Sequence, residues 1–157
     1  NIHFVVYGTG PDEQMLQELI AGLEVADRIH MLGYIDHAVM PLYLKACDIF
    51  IRPSRSEGMG NSFVEAMAAG LPVIATQEGG IADFLFDRRR NPNTTATGWA
   101  VSADSPDDIV RAVQDVIAHP ERTAATVTHA QEMVLARYDW DLIADDMQKK
   151  VFDPLFE

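Results

Sequence analysis

Two hydrophobic periods alternate along this chain. Residues 3–8, "HFVVYG", form a short, continuously apolar, β-rich run that ends in the turn-forming "GTGP". Met15, Leu16, Leu19, Ile20 and Leu23 then recur at three- and four-residue steps, which puts them on one face of a helix. "RIHML" (28–32) predicts a second strand ending at Gly33, and residues 37–46 predict a short helix that starts late, with Pro41 in its first turn. "DIFIRP" (48–53) is a third strand, continuously apolar as a parallel strand covered on both faces should be. A helix over 62–69 ends at Gly70, and "LPVIAT" (71–76) is a fourth strand. "QEGGIADFLF" predicts a loop leading into a short helix, "DRRRNPNTTAT" (87–97) a surface loop and the least structured stretch, and "GWAVS" (98–102) a last, edge strand. Helices are expected at about 106–118, 121–137 and 139–152.

Strands alternating with helices predict an α/β fold, a Rossmann-like parallel sheet with helices on both faces. Ligands of such sheets gather at the carboxyl ends of the strands. The glycine-rich turns "GTGP", "GMGN" and "EGG" all follow strand ends, so they are expected on one rim.

Composition narrows the partners. The 157 residues are 48% apolar, ordinary for a globular chain, and no window approaches the eighteen apolar residues of a membrane span. A formal charge of −12 argues against a nucleic-acid or anionic-lipid surface, because the field repels phosphates at long range, so no nucleic-acid partner is expected. Local backbone dipoles still permit a small anionic ligand. The single cysteine, Cys47, lies in an apolar run and is expected as a buried thiol, and the five histidines show no metal-ligand spacing. Asn1 leads straight into a strand-like run with no initiator methionine, so the chain is expected to be a piece of a longer protein.

Residues 53–70, "PSRSEGMGNSFVEAMAAG", hold the candidate chemistry. Gly58 and Gly60 precede a helix whose first N–H groups and positive dipole end form an anion site. Ser62 followed by Glu65 has the spacing of a helix capping box, which on spacing alone is the favoured reading of Glu65. Glu57 is needed by no turn or cap. Carboxylates accept paired hydroxyl hydrogen bonds, so two of them flanking an anion site suit a ligand with hydroxyls on both sides of a phosphate, the pattern of a nucleotide sugar.

The stretch "RPSRSEGMGNSFVEAMAAGLPVIATQEGGIADFL" resembles the signature of retaining glycosyltransferases of the large group 1 type (glycosyltransferase family 4), which have the GT-B architecture. Glu57 and Glu65 match the family's E-x7-E spacing, and "VVYGTGPDEQMLQEL", "ADRIHMLGYI", "YLKACDIFIRPS" and "YDWDLIADDMQ" fit in order. The resemblance implies a donor-binding domain over 1–157, the C-terminal half of the fold, lacking its first strand–helix unit and the N-terminal acceptor domain. It implies Glu57 as the catalytic carboxylate beside the anomeric carbon. Glu57, Gly58, Met59, Gly60 and Asn61 would contact donor sugar and diphosphate, and Glu65 the ribose. Gly8, Gly10, Gly33, Tyr34 and Ile35 would border the nucleobase. It implies a nucleoside-diphosphate-sugar donor, a saccharide or lipid-linked acceptor, no cofactor and no metal, and a cytoplasmic protein at most touching the inner face of the membrane. The family's Arg and Lys pair that grips the diphosphate would lie upstream of residue 1, so this chain alone is expected to bind donor weakly and not to turn over.

Met59 stands where an aromatic residue is usual, and "DRRRNPNTTAT" is longer than the usual loop. Arg88, Arg89 and Arg90 are read as a solvated loop in preference to a contact for an acidic acceptor or phosphates. Trp99 and Trp140 are expected as core or interdomain packing, and "VFDPLF" as a partly uncovered apolar end. Two rivals stay open: a binding module that has lost catalysis, and a nucleotide-sugar epimerase of the same architecture.

Overall fold

A computed structural model describes residues 2–156. The chain forms two compact units, Asn1–Leu42 and Tyr43–Glu157.

In the first unit β1 (Phe4–Tyr7) and β2 (Ile29–Gly33) pair in parallel, joined by α1 (Glu13–Ala21) and a 3-10 turn at Ala26–Arg28. Phe4 lies opposite Ile29 and Val6 opposite Met31, and the register shifts between Val6 and Tyr7, so that Tyr7 meets Gly33. The apolar stripe of α1 falls on one face as its spacing predicts, but Met15, Leu16, Leu19 and Leu23 are exposed. A two-stranded sheet offers too little apolar surface to bury a helix face. His3 and His30, far apart in sequence, stack with ring centroids 5.4 Å apart and nitrogens 3.1 Å apart.

In the second unit β3 (Phe50–Arg52), β4 (Val73–Ala75) and β5 (Trp99–Ala100) form a parallel sheet in the order β3-β4-β5, with β5 at an edge as expected. The end of α2 (Met40–Lys45) enters this unit, with Pro41 in its first turn. The strand pairing thus closes within each unit: the single sheet expected from the alternation is present as a two-stranded and a three-stranded parallel sheet.

Strand alternation divides the larger core between two faces. Ile51 and Ile74 pack with Trp99, Val101 and the apolar stripe of α4 (Pro106–Ala118): Ile109, Ala112, Val113 and Val116. Phe50, one residue from Ile51, turns the other way and meets the edge of Phe63 on α3 (Asn61–Ala68) at 5.7 Å. Phe63 also contacts Phe84, which contacts Tyr138 beyond the end of α5 (Pro120–Arg137). Helices therefore cover both faces of this sheet. Phe63, Met67, Val73, Ile74, Ile81, Phe84 and Leu85 are fully buried; each side chain of this size removed from water contributes about 1.5–3 kcal/mol.

Local chemistry sets the helix ends. Ser105 caps α4 through the Asp108 N–H, with Pro106 at the first helical position. Leu71 N–H to the Ala66 carbonyl and Gly70 N–H to the Met67 carbonyl close α3 in a Schellman motif, as the glycine predicts. The expected continuous last helix is α6 (Trp140–Met147), capped by Asp139, followed by a π-helical turn over Gln148–Phe152 and a 3-10 turn over Asp153–Leu155. Trp99 is buried, but Trp140 is 73% exposed, which overturns its core reading; Leu155 and Phe156 are exposed with it. Cys47, the single cysteine, is half-buried rather than buried.

Candidate functional site

The loop from Pro53 to Gly60 joins β3 to α3, and its conformation is dictated by contacts that span the second unit. Thr76, at the carboxyl end of β4 and fully buried, donates its hydroxyl to the Ser54 carbonyl at 2.5 Å. Gly80 N–H donates to the Gly58 carbonyl at 2.8 Å, so the turn after β4 is hydrogen-bonded to the turn after β3. The fit leaves no room for side chains. A Cβ on Gly79 would overlap the Glu57 carbonyl, and one on Gly80 the Gly58 carbonyl. The two glycine-rich turns of this unit do lie together at the carboxyl ends of neighbouring strands.

This packing fixes Glu57, whose side chain is only 14% exposed. One carboxylate oxygen, Oε1, takes both an ion pair from Arg52 Nη2 at 2.6 Å and a hydrogen bond from Ser54 Oγ at 3.0 Å. Arg52 Nη1 also donates to Ser62 Oγ at 2.6 Å, and its guanidinium stands 5.4 Å from the centre of the buried Phe63 ring. A charge-assisted hydrogen bond, a hydroxyl and a cation–π contact thus hold one side chain. Gly60 then starts the helix: with φ +71° it occupies the left-handed region, and a Cβ there would come within 2.6 Å of Phe63.

Gly58, Met59 and Asn61 are exposed along the crest of the loop, and Glu65 is half-buried on α3, four residues beyond Asn61 and so on the same helix face. The capping box read from Ser62 and Glu65 does not form. Gly60 is the N-cap, no side chain caps the helix, and Ser62 lies inside the first turn bonded to Arg52. In the first unit Gly8 N–H donates to the Gly33 carbonyl at 2.8 Å, which joins the turns after β1 and β2; Tyr34 is 74% exposed beside them and Ile35 is half-buried. Gly10 lies exposed in the turn before α1.

Sequence reasoning missed Arg52, Ser54, Thr76 and the pairing of "EGG" with "EGMG". An arginine closing an otherwise apolar buried strand was the available signal for Arg52, because a charge there needs a partner. The loop over 87–97 has neither helix nor strand, as expected, yet it is firmly built. Thr97 is buried and bonded to Phe84 and Phe86, and the carboxylate of buried Asp87 accepts the N–H groups of Arg89, Arg90 and Ala100. Among the described residues no group of three or more His, Cys, Asp or Glu is placed to hold a metal ion, and no helix is long and apolar enough to cross a membrane.

Parallel strands, glycine-rich turns at their carboxyl ends and helices on both faces of the larger sheet define an α/β protein of the Rossmann-like class. The sequence model of the family described as glycosyl transferases group 1 matches residues 1–133, and the chain belongs to that family. It is 31% identical over 140 residues to the 2-deoxystreptamine N-acetyl-D-glucosaminyltransferase of Streptomyces fradiae, covering 89% of this chain and 32% of that protein. It is also 31% identical over 147 residues to the GDP-mannose-dependent alpha-(1-6)-phosphatidylinositol monomannoside mannosyltransferase of Mycobacterium tuberculosis, covering 89% of this chain and 36% of that one. The sucrose-phosphate synthase from Thermosynechococcus elongatus superposes with a TM-score of 0.83 at 26% identity, over 97% of this chain and 38% of that one. The chain spans about a third of the length of the curated relatives it matches.

Proposed function

We propose that this chain is the donor-binding domain of a retaining glycosyltransferase, which moves a hexose from a nucleoside-diphosphate sugar to a saccharide or lipid-linked acceptor. The observation that carries the reading is Glu57, a nearly buried carboxylate held on one oxygen by Arg52 and Ser54 at the carboxyl end of β3, directly ahead of the α3 N-terminus. The position of Oε2 near Gly60, 3.5 Å from where a Cβ would stand, keeps the other oxygen toward the start of the helix. The mycobacterial relative, named as a GDP-mannose-dependent mannosyltransferase of phosphatidylinositol monomannoside, supports a nucleotide sugar and a lipid-linked acceptor as the substrate classes.

In this reading Glu57 takes the hydroxyls of the donor sugar beside the anomeric carbon. The free N–H groups of Asn61 and its neighbours, with the helix dipole, face the diphosphate, and Met59 borders the sugar. Glu65 takes the ribose hydroxyls. In the first unit Gly8, Gly10 and Gly33 let backbone approach the base, with Tyr34 available to stack on it. As the bond to the nucleoside diphosphate breaks, the anomeric carbon gains oxocarbenium character and negative charge gathers on the leaving diphosphate. Fixed backbone dipoles stabilise that charge without reorganising. The acceptor attacks from the face the diphosphate leaves, which gives retention. The chemistry requires no metal. Acceptor binding belongs to a further domain of a protein as long as its relatives, so the chain alone binds donor without transferring it. A cytoplasmic protein drawing on soluble nucleotide sugars, with peripheral membrane contact where the acceptor is a lipid, completes the proposal.

The test is a calorimetric screen of this chain against UDP- and GDP-hexoses. Saturable binding of one base class is expected. Absence of binding to every nucleotide sugar would contradict the reading, and hexose transfer by the chain alone would contradict the division of labour.

A further inference from the structure

The most basic surface of this acidic chain lies outside the loop that carries Glu57. A cavity of about 680 Å3 in the second unit is bordered by five arginines, Arg88, Arg89 and Arg90 from the turn before β5, Arg111 from α4 and Arg122 from α5. Three aspartates line it as well, and each is already engaged. Asp87 accepts three backbone N–H groups. Asp108 holds Arg111, stands 3.8 Å from Arg90 and accepts the Ser102 N–H. Asp115 accepts the Trp99 indole N–H and pairs with Arg122 and His119. The side chains of Arg88 and Arg89 are exposed and make no ion pair or hydrogen bond among the described residues. Arg122 Nη2 lies 2.5 Å from Asp115 Oδ2 and is shut off from solvent, so its charge is met by that carboxylate.

Construction of the arginine turn argues against a solvated loop. Asp87 is buried and ties the backbone of Arg89 and Arg90 to the start of β5, while Asn91 is bonded both to Asp87 and to Gln77. Three consecutive like charges are therefore held together at a fixed place, although mutual repulsion would spread them in a free loop. The floor between them is made of small residues, among them Ala96, Gly98, Ala112 and Ala125, which leave the volume open. Its size is that of a small-molecule pocket, which runs from roughly 300 to 1,000 Å3.

We propose that this cavity is a second ligand site, for a phosphate-bearing anion. Planar guanidinium forks match phosphate oxygens in pairs, and the two unpaired forks of Arg88 and Arg89 supply more donors than one carboxylate would use. The formal charge of −12 does not oppose this at close range, because charges farther than about 8 Å are screened at physiological salt. No residue of the Glu57–Asn61 turn lines the cavity, so the site is independent of the donor reading and stands or falls separately. The phosphate belongs either to a free phosphorylated metabolite or to a lipid headgroup.

The test titrates this chain with inorganic pyrophosphate at low salt, and in a second arm with phosphatidylcholine vesicles carrying phosphatidic acid. Arg88→Ala with Arg89→Ala is the variant, chosen because both side chains are exposed and the fold does not need them; Arg122→Met is the second. Binding in either arm that each variant weakens at least tenfold, and that Glu65→Gln leaves unchanged, supports the site, and the arm that responds identifies the source. No binding in either arm, or binding the variants leave unaltered, overturns it. Nucleotide-sugar affinity should be the same in the arginine variants as in the parent chain, which separates failure here from failure of the donor assignment.

Discussion

The turns after β1 and β2 and the turns after β3 and β4 solve the same local problem in different ways. In the first unit one backbone hydrogen bond, Gly8 to Gly33, joins the two turns, and the flanking side chains, Tyr34 above all, are exposed. A Cβ at Gly8, Gly10 or Gly33 would meet nothing within 4 Å. In the second unit the turns are locked by Gly80 to Gly58 and Thr76 to Ser54, backed by a fully buried Phe63, and a Cβ at Gly79 or Gly80 would strike backbone. Open turns of the first kind suit a flat group held by shape and stacking. The locked pair suits a charged side chain that must stay in one place, because the position of a carboxylate beside a reacting carbon is worth more than its presence.

The largest way to break this contrast is to remove the support under the locked turns. Phe63→Ala should cost about 3–5 kcal/mol of stability, read by urea unfolding. Next, Gly79→Ala should cost about 3 kcal/mol, since a left-handed backbone and a clash with the Glu57 carbonyl combine. The matching Gly33→Ala, with a left-handed backbone but open space, should cost only about 1–2 kcal/mol. Equal losses at the two glycines would erase the difference between the turns. Arg52→Ala should change stability little but free Glu57, weakening nucleotide-sugar binding by about tenfold, in line with about 1.5 kcal/mol for a charge-assisted hydrogen bond. Wild-type affinity in that variant would remove Arg52 from any positioning role. Acid sensitivity should be smaller. Hydrogen bonding from Ser102, then the charges of Arg111 and Arg90, holds the Asp108 carboxyl below the usual carboxylate range. Asp115 is pushed up by burial, but hydrogen bonds from Trp99 and Arg122 and the charges of Arg122 and His119 outweigh that and lower it. Both folded values lie below the unfolded ones, so their contribution is present above about pH 4 and is lost as pH falls through the folded values. Asp115→Asn should flatten the acid limb of a thermal-stability profile. Tyr34→Ala should be the mildest, changing base preference in a nucleotide competition assay with stability within about 0.5 kcal/mol.

Much of this was legible in the sequence because it is local. The α4 span came out as predicted, since its apolar stripe is periodic and Ser105-Pro106 marks its start. Glu57 stood out because no turn needs a carboxylate before glycine. On spacing alone Ser62 and Glu65 read as a capping box, yet Gly60, able to adopt φ +71°, is the N-cap two residues before Ser62 and puts Ser62 inside the helix. The clamp on Glu57 was not legible. Thr76 reaches Ser54, and Gly80 reaches Gly58, across 22 residues of sequence, and no hydrophobic period records such a bond. Trp140 is expected in a core or at an interdomain contact; α6 presents it to solvent, so it is no part of this chain's core. The arginine side chains are exposed on a loop as expected, but the loop's scaffold was not legible: the buried Asp87 carboxylate is a charge whose partners are backbone N–H groups that any sequence would offer.

The central claim is that Glu57 serves the sugar and Glu65 the ribose of one donor. Calorimetric titration of the parent chain, Glu57→Gln and Glu65→Gln with a nucleoside diphosphate and with its hexose ester tests it most directly. Glu57→Gln should lower affinity for the sugar ester by about tenfold or more and leave the nucleoside diphosphate unaffected, while Glu65→Gln should weaken both alike. Equal losses for the two ligands in Glu57→Gln, or unchanged binding of both in Glu65→Gln, would contradict the assignment.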